Sequence, residues 1–209
     1  MTKEKAYIFL NGQMDLTSKM YRELSKDDHI YCADGGTEHC LKLGLVPREV
    51  WGDFDSLSSE KVKELEESGV KLKKFSSEKD FTDGELLLEY VHSKGYNYIY
   101  ILGGLGGRLD HELTNINLIS KYKNVYILSE KELVFFVQKK YTFINNVGKT
   151  ISFIPFSNSV EDLNLRGFKY PLNNYKLLRG DSRCLSNIIL EERAEVELKS
   201  GMLLCVINY

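Results

Sequence analysis

The chain has 209 residues, enough for one large or two small domains with a hydrophobic core. Hydrophobic residues make up 43% and charged residues 28%, a balance that excludes a disordered chain, and no apolar run approaches the roughly 20 residues that span a bilayer. The net charge of −2, with lysines spread along the sequence, gives no basic surface for nucleic acid, so neither nucleic acid nor a membrane is an expected partner.

The beginning of the chain and its cysteines indicate the cellular compartment. Residues 6–10 form an apolar stretch too brief for the core of a signal peptide, so we expect a cytoplasmic protein. The four cysteines show neither Cys-x-x-Cys spacing nor a neighbouring histidine pattern, which argues against a zinc site and predicts reduced, mostly buried thiols. They are Cys32, Cys40, Cys184 and Cys205.

The first part of the chain alternates short apolar strands with helices. The predicted strands cover residues 6–10, 30–33, 49–51, 70–75, 98–102 and 125–128. The predicted helices lie near residues 16–24 and 38–43 and over residues 59–68, 83–93 and 108–122. This alternation predicts an α/β domain with a mostly parallel, Rossmann-like sheet covered by helices on both faces.

The pattern changes at about residue 129, where helical periodicity gives way to short β-rich segments separated by turn residues. The predicted strands there cover residues 133–137, 141–144, 150–154, 161–165, 194–198 and 203–207. Short strands at this spacing are typical of a small β-sandwich. The sequence therefore predicts two domains, an α/β domain over residues 1–129 and an all-β domain over residues 130–209.

Two acidic segments follow predicted strands: Trp51-Gly52-Asp53-Phe54-Asp55-Ser56 and Lys79-Asp80-Phe81-Thr82-Asp83. Carboxylates two residues apart share a direction on an extended or turning backbone, so Asp53 and Asp55 can bind one cation. Mg²⁺ suits such a site because it takes one or two protein carboxylates together with substrate phosphates. The alternatives are a solvated loop at Asp53 and a helix cap at Asp80, with Asp83 in the first turn of that helix.

A glycine-rich loop over residues 103–107 lies between a predicted buried strand and a predicted helix. Its backbone can approach a phosphate closely and direct N–H groups at it, and Arg108 adds a planar fork for phosphate oxygens. The loop matches neither the P-loop nor the G-x-G-x-x-G fingerprint, and a plain tight turn is the alternative. Asp110 and His111 lie in the first turn of the following helix.

Two further loops end strands on the same side of the predicted sheet. Ala33-Asp34-Gly35-Gly36 adds a carboxylate at the start of a helix, and Asn11-Gly12 follows the first strand. Because the carboxyl ends of parallel strands meet at one edge of a sheet, four loops should converge there, where open α/β sheets bind ligands.

Five motifs in this order resemble those of the thiamine pyrophosphokinase family, and the match covers nearly the whole chain. They are Ala33-Asp34-Gly35-Gly36, Gly52-Asp53-Phe54-Asp55-Ser56, Lys79-Asp80-Phe81-Thr82-Asp83, Gly107-Arg108-Leu109-Asp110-His111 and Ser186-Asn187. The resemblance implies transfer of a pyrophosphoryl group from ATP to the hydroxyl of thiamine, which gives thiamine diphosphate and AMP and requires Mg²⁺. It also implies a homodimer, with thiamine between the α/β domain of one subunit and the β domain of the other.

The resemblance also implies a role for each site residue. Asp53, Asp55 and Asp83 would hold Mg²⁺. The catalytic set would be Asp53, Asp55, Asp80, Asp83, Arg108 and Asp110. The ATP-binding set would be Asn11, Asp34, Gly35, Gly36, Gly103, Gly104, Gly107, Arg108 and His111. Thiamine would contact Asp80, Thr82, Ser186 and Asn187, and a ring from Tyr170, Tyr175 or Phe168 would stack on it.

Two other functions fit parts of the pattern. The acidic and glycine motifs specify ATP and magnesium better than they specify the acceptor, so a diphosphokinase acting on another alcohol, such as a hydroxymethyl pterin, is one alternative. The other is a non-catalytic sensor of thiamine or nucleotide. The four acids argue against a sensor, because a pure binder has no need of an acidic cluster that repels its own ligand.

Overall fold

The computed structural model describes residues 4–25, 27–55, 57–75 and 80–209. The chain divides into two compact units, Met1–Glu130 and Lys131–Tyr209. The first combines helices and strands and the second contains strands only within its described residues, so the prediction of an α/β domain followed by an all-β domain is confirmed.

The first unit is built on six strands. They are β1 (Lys5–Phe9), β2 (Ile30–Ala33), β3 (Glu49–Gly52), β4 (Lys71–Lys74), β5 (Tyr98–Leu102) and β6 (Val125–Leu128). They lie in the order β6-β5-β1-β2-β3-β4, and the five strand pairs described in this unit are parallel. The helices are α1 (Gly36–Lys42), α2 (Ser59–Glu67), α3 (Asp83–Ser93) and α4 (Leu109–Ile119).

The core of this unit lies between the sheet and its helices. Strand residues such as Ile8 and Ile99 are fully buried, and α3 buries Leu87 and Val91 at the helical spacing that the sequence shows. Burial of an aliphatic side chain contributes about 1.5–3 kcal/mol, so this layer fixes the ends of the strands and hence their loops.

The predicted helix over residues 16–24 is wrong. Only a short 3₁₀ helix, Lys19–Glu23, forms there. The Asp15 carboxylate accepts hydrogen bonds from the N–H and hydroxyl of Thr17, and the Ser18 hydroxyl accepts the N–H of Met20. These local bonds compete with α-helical ones, and Tyr21 alone in this helix is buried to anchor it.

The second unit has eight strands. They are β7 (Glu132–Val137), β8 (Lys140–Ile144), β9 (Thr150–Pro155), β10 (Ser159–Arg166), β11 (Leu172–Leu178), β12 (Asn187–Ile188), β13 (Arg193–Glu197) and β14 (Leu203–Asn208). One group lies in the order β12-β9-β14-β7 and the other in the order β11-β10-β13-β8. Phe143 of β8 contacts Phe153 of β9 at 6.3 Å between ring centroids, so the two groups pack face to face.

The cysteines agree with the expectation from composition. All four cysteines are free and buried, as predicted, and burial raises the pKa of Cys184 to about 11 and that of Cys32 well above its ordinary value. No helix in the described ranges is both long and apolar enough to cross a bilayer.

Candidate active site

The strand order changes direction beside β1. From β1 the chain goes on to β2, β3 and β4 on one side, whereas β5 pairs with β1 on the other side. In open α/β sheets, ligands bind in the crevice that such a reversal leaves at the carboxyl ends of the strands. The loops after β1 and β5 flank this crevice.

These two loops are held together by glycines. Gly12 donates its N–H to the Gly103 carbonyl at 2.8 Å, and a side chain at Gly12 would collide with the carbonyl oxygens of Gly103 and Leu105. Gly103 itself has φ +66° and lies against the Leu10 carbonyl, where a Cβ would also collide. Glycine is therefore required on both sides of the crevice.

The loop after β2 joins the same group. The Asn11 side chain lies against Gly35, and the Phe9 carbonyl lies against Gly36, both too close for a Cβ. Asp34 has φ +44°, and its carboxylate lies over Gly52 at the end of β3. The predicted convergence of the loops after β1, β2, β3 and β5 is present, and it brings Asn11 and Asp34 to one edge.

In the acidic turn after β3, the carboxylate of Asp53 accepts a backbone hydrogen bond that stabilises the turn. Phe54 has φ +65°, and Asp53 accepts the N–H of Asp55 through Oδ1 at 3.1 Å. Asp55 is exposed, and Ser56 lies outside the described residues. Both acids are hard oxygen donors of the kind that Mg²⁺ prefers.

The described residues contain no group of three or more His, Cys, Asp or Glu side chains gathered closely enough to hold a metal ion by themselves. A magnesium ion needs only one or two carboxylates when phosphates and waters complete its octahedral shell. That Asp53, Asp55 and Asp83 together hold one magnesium ion therefore stays a prediction, since the described residues do not gather three acids around one point.

Thr82, rather than Asp80, caps α3. Its hydroxyl oxygen accepts the N–H of Glu85 at 3.1 Å, so the alternative of Asp80 as the cap is wrong. Asp80 is exposed just before the cap, and Asp83 is the first residue of the helix; Lys79 lies outside the described residues. Asp80 is thus not needed for the helix itself.

In the glycine loop after β5, three carbonyls accept hydrogen bonds, that of Gly103 from Gly12 being the first, and the loop is open at its end. Gly106 accepts the N–H of Gln13 at 2.5 Å, and Gly104 accepts the side-chain amide of Asn115 in α4 at 2.9 Å. A Cβ at Gly107 would meet nothing within 4 Å. Three of the five loop carbonyls are therefore bound within the protein, which suits a phosphate cradle because free carbonyl oxygens would repel an anion. Sequence reasoning missed Asn115, an asparagine on the side of α4 that faces the loop.

Arg108 is paired with Asp110 in this structure. Its guanidinium binds both carboxylate oxygens, at 3.1 Å from Nε and 2.5 Å from Nη2, and both side chains are exposed. The hydrogen bond from Arg108 holds the pKa of Asp110 below its ordinary value. His111 is exposed one residue further on, and its N–H donates to the same carboxylate.

The predicted contact of Asn187 with thiamine stays a prediction, and the hydrogen bonds described for this side chain show a structural role. Asn187 is buried, its Oδ1 accepts the N–H groups of Tyr170 and Ile188, and its amide donates to the Tyr170 carbonyl at 2.9 Å. All of these bonds are made to backbone, so Asn187 fixes the position of Tyr170. Ser186 beside it is exposed with φ +54°.

Of the three candidate rings, Phe168 is excluded because it is buried against Phe143 and Phe153. The Arg183 guanidinium covers the ring of Tyr175, with its Cζ 4.8 Å from the ring centroid. Tyr170 is 56% exposed, and the Asn187 side chain holds its backbone N–H and carbonyl by hydrogen bonds. Of the three candidates, Tyr170 is therefore the ring best placed to meet a ligand.

Comparison with known proteins gives a match for each part of the chain. Residues 20–128 match the family model "Thiamin pyrophosphokinase, catalytic domain", and residues 137–203 match "Thiamin pyrophosphokinase, vitamin B1 binding domain". The thiamine pyrophosphokinase of Bacillus subtilis (strain 168) is 36% identical over 181 residues, which cover 83% of this chain and 84% of that protein.

Solved structures agree with these matches. The crystal structure of thiamine pyrophosphokinase from Bacillus subtilis has a TM-score of 0.87 at 29% identity, covering 98% of this chain and 99% of that one. The structure from Geobacillus thermodenitrificans has a TM-score of 0.88 at 28% identity, covering 98% and 97%. With both family models matched in order and 36% identity to a curated member, the chain belongs to the thiamine pyrophosphokinase family.

Proposed function

We propose that this protein is a cytoplasmic, ATP-dependent thiamine diphosphokinase that converts thiamine and ATP to thiamine diphosphate and AMP. The observation that carries the proposal is the convergence of four strand-end loops at the crevice beside β1, with acids on one side and a glycine cradle on the other. Family membership supplies the acceptor.

In this proposal the first unit is a Rossmann-like domain that binds ATP with Mg²⁺, and the second unit binds thiamine and forms a homodimer. Asp53, Asp55 and Asp83 would hold the magnesium ion, which when bound neutralises phosphate charge and orients the phosphates. Asn11 and Asp34 line the nucleotide side together with Gly35 and Gly36. The glycine loop and Arg108 receive the phosphates, beside His111.

The reaction forms one bond and breaks one. The hydroxyl oxygen of thiamine attacks the β-phosphorus of ATP, the bond between that phosphorus and the bridging oxygen to the α-phosphorus breaks, and AMP leaves with this oxygen. The hydroxyl proton passes to a carboxylate or to water. Such transfers depend mainly on positioning and charge neutralisation, which the loops and Arg108 are suited to supply.

Asp80 and Asp110 are the two candidates to accept this proton. The bond to Arg108 lowers the pKa of Asp110, which makes it a weaker base, whereas the Asp80 side chain is exposed and is not the cap of α3. We expect Asp80→Asn to lower turnover by about 100-fold and Asp110→Asn by less than about tenfold at saturating substrates. Near-normal turnover in both variants would exclude a carboxylate base at either position.

The thiamine side can be tested at Tyr170. We expect Tyr170→Leu to raise KM for thiamine about fivefold through loss of stacking, with KM for ATP unchanged. Tyr209→Leu is the matched control, because Tyr209 is equally exposed. Each ring also has a lysine over it, Lys169 at 5.4 Å for Tyr170 and Lys149 at 4.4 Å for Tyr209. An unchanged KM for thiamine in Tyr170→Leu would show that this ring does not contribute to thiamine binding.

The experiment that tests the whole proposal measures AMP release by the purified protein with ATP and Mg²⁺, comparing thiamine, a hydroxymethyl pterin and no acceptor. AMP formed only with thiamine, together with thiamine diphosphate seen by mass spectrometry and loss of both on chelation of Mg²⁺, is the expected result. AMP formed with the pterin instead would favour the other diphosphokinase. Binding of ATP and thiamine without any AMP would favour the sensor.

A further inference from the structure

His39 in α1 makes a contact that none of the roles above uses. Its ring Nε2 lies 2.9 Å from the Gly12 carbonyl oxygen. A carbonyl only accepts, so Nε2 carries the hydrogen and donates. Within the described ranges, the other ring nitrogen, Nδ1, is buried and has no hydrogen-bond partner. The bond to Gly12 is thus the polar contact that fixes this ring.

The peptide group that His39 holds is the one that joins the two loops of the crevice. Gly12 donates its N–H to Gly103, and the next N–H, that of Gln13, goes to Gly106. The Gly12 carbonyl points the other way, to His39. Three consecutive backbone groups, the Gly12 N–H, the Gly12 carbonyl and the Gln13 N–H, are therefore all hydrogen-bonded. Among the described partners of these groups, His39 alone contributes a side chain.

This arrangement has a consequence for an anion in the crevice. The carbonyls of Gly103 and Gly106 are turned towards the loop after β1 rather than towards the open end at Gly107. If the Gly12 carbonyl lost its donor, the peptide plane of Gly12 and Gln13 would be free to turn, and the Gln13 N–H that holds Gly106 would move with it. Unpaired carbonyl oxygens beside phosphates cost binding energy.

We propose that His39 is a positioning residue for the nucleotide: through Gly12 it holds the loop after β1 against the glycine loop, and so sets the affinity for ATP phosphates. The inference rests on the proposed function for its ligand. It concerns the nucleotide half of the site only, so it predicts no effect on thiamine.

The test compares two substitutions of similar size. His39→Gln places an amide nitrogen near the position of Nε2 and retains a donor, whereas His39→Met fills a similar volume without one. The control is His92→Met, which removes a histidine that packs its ring on Tyr122 at 4.6 Å, in α3. Calorimetry would measure the Kd of a non-hydrolysable ATP analogue with Mg²⁺ and, separately, the Kd of thiamine, with circular dichroism as a check of folding.

We expect His39→Met to weaken binding of the analogue about tenfold with thiamine binding unchanged, His39→Gln to restore most of the affinity, and His92→Met to have no effect. Unchanged analogue binding in His39→Met, or an equal loss in both His39 variants, would overturn the inference, the second because packing alone would then explain the loss. If His39→Met does not fold, His39→Asn, whose shorter amide stops short of Gly12, takes its place with the same expectations.

The inference and the proposed function fail separately. If the natural protein binds the analogue but forms no AMP from thiamine, the proposed function fails and the comparison of the His39 variants still decides the inference. If the natural protein does not bind the analogue, the inference is overturned as well.

Discussion

Asp53→Asn is expected to lower turnover by about 10³-fold while the protein stays folded. Asparagine retains an oxygen that can accept the Asp55 N–H, so the turn at Phe54 is preserved. It lacks the negative charge that a magnesium ion requires of its ligand, and the charge of the phosphates is then poorly neutralised at the moment of transfer. AMP release at saturating ATP and thiamine, over a range of Mg²⁺ concentrations, measures the effect.

Asp162→Asn is the matched control for this substitution. Asp162 is also a half-buried aspartate, but it lies in β10 of the second unit, where its carboxylate is 3.5 Å from the Lys199 ammonium. Turnover and melting temperature should both stay close to those of the natural protein. An Asp53→Asn variant as active as this control would remove Asp53 from the set of magnesium ligands.

The elements that could be predicted from the sequence are those whose pattern is both local and strong. The strands β2, β5 and β6 and the helix α3 have the predicted bounds, because each is an apolar run or an amphipathic repeat bounded by polar residues or glycine. The convergence of the loops could be predicted for a different reason, since a parallel sheet brings all its carboxyl ends to one edge.

The strands β11 (Leu172–Leu178) and β12 (Asn187–Ile188) could not be predicted in this way. In β11 only Leu177 is fully buried, and the strand lies at an edge of its group, paired with β10 through register shifts. An edge strand with one buried residue shows no alternation of apolar and polar residues. Tertiary pairing alone creates it.

Side-chain partners were the part of the site least open to prediction. The pair Ser186-Asn187 indicates a polar contact. The two residue types do not specify that the Asn187 side chain is buried and hydrogen-bonded to the Tyr170 backbone. The bonds from His39 and Asn115 to glycine carbonyls likewise join residues that are distant along the chain. Such contacts depend on how helices pack on the sheet, which periodicity does not specify.

Arg108→Met is expected to lower kcat/KM for ATP by about 100- to 1,000-fold, the second large effect. The Arg108 side chain is 75% exposed beside the open end of the glycine loop, and its fork is already arranged on a carboxylate, Asp110. A phosphate offers the same bidentate geometry as that carboxylate. Methionine retains the length of the side chain and loses both the charge and the donors. Initial rates of AMP release against ATP concentration give the measurement.

Two further variants separate the charge of Arg108 from its shape. Arg108→Lys keeps the charge but not the fork, so it should recover only part of the loss. Arg166→Met is the control, because Arg166 is also an exposed arginine bound to a carboxylate, Glu197 at 3.4 Å, and its loss should leave kcat/KM unchanged. If Arg108→Lys were fully active, a single point charge would suffice and the fork would have no role. If Arg108→Met were no worse than Arg166→Met, the guanidinium would serve only as the partner of Asp110, and the phosphates would be held by the backbone of the glycine loop alone.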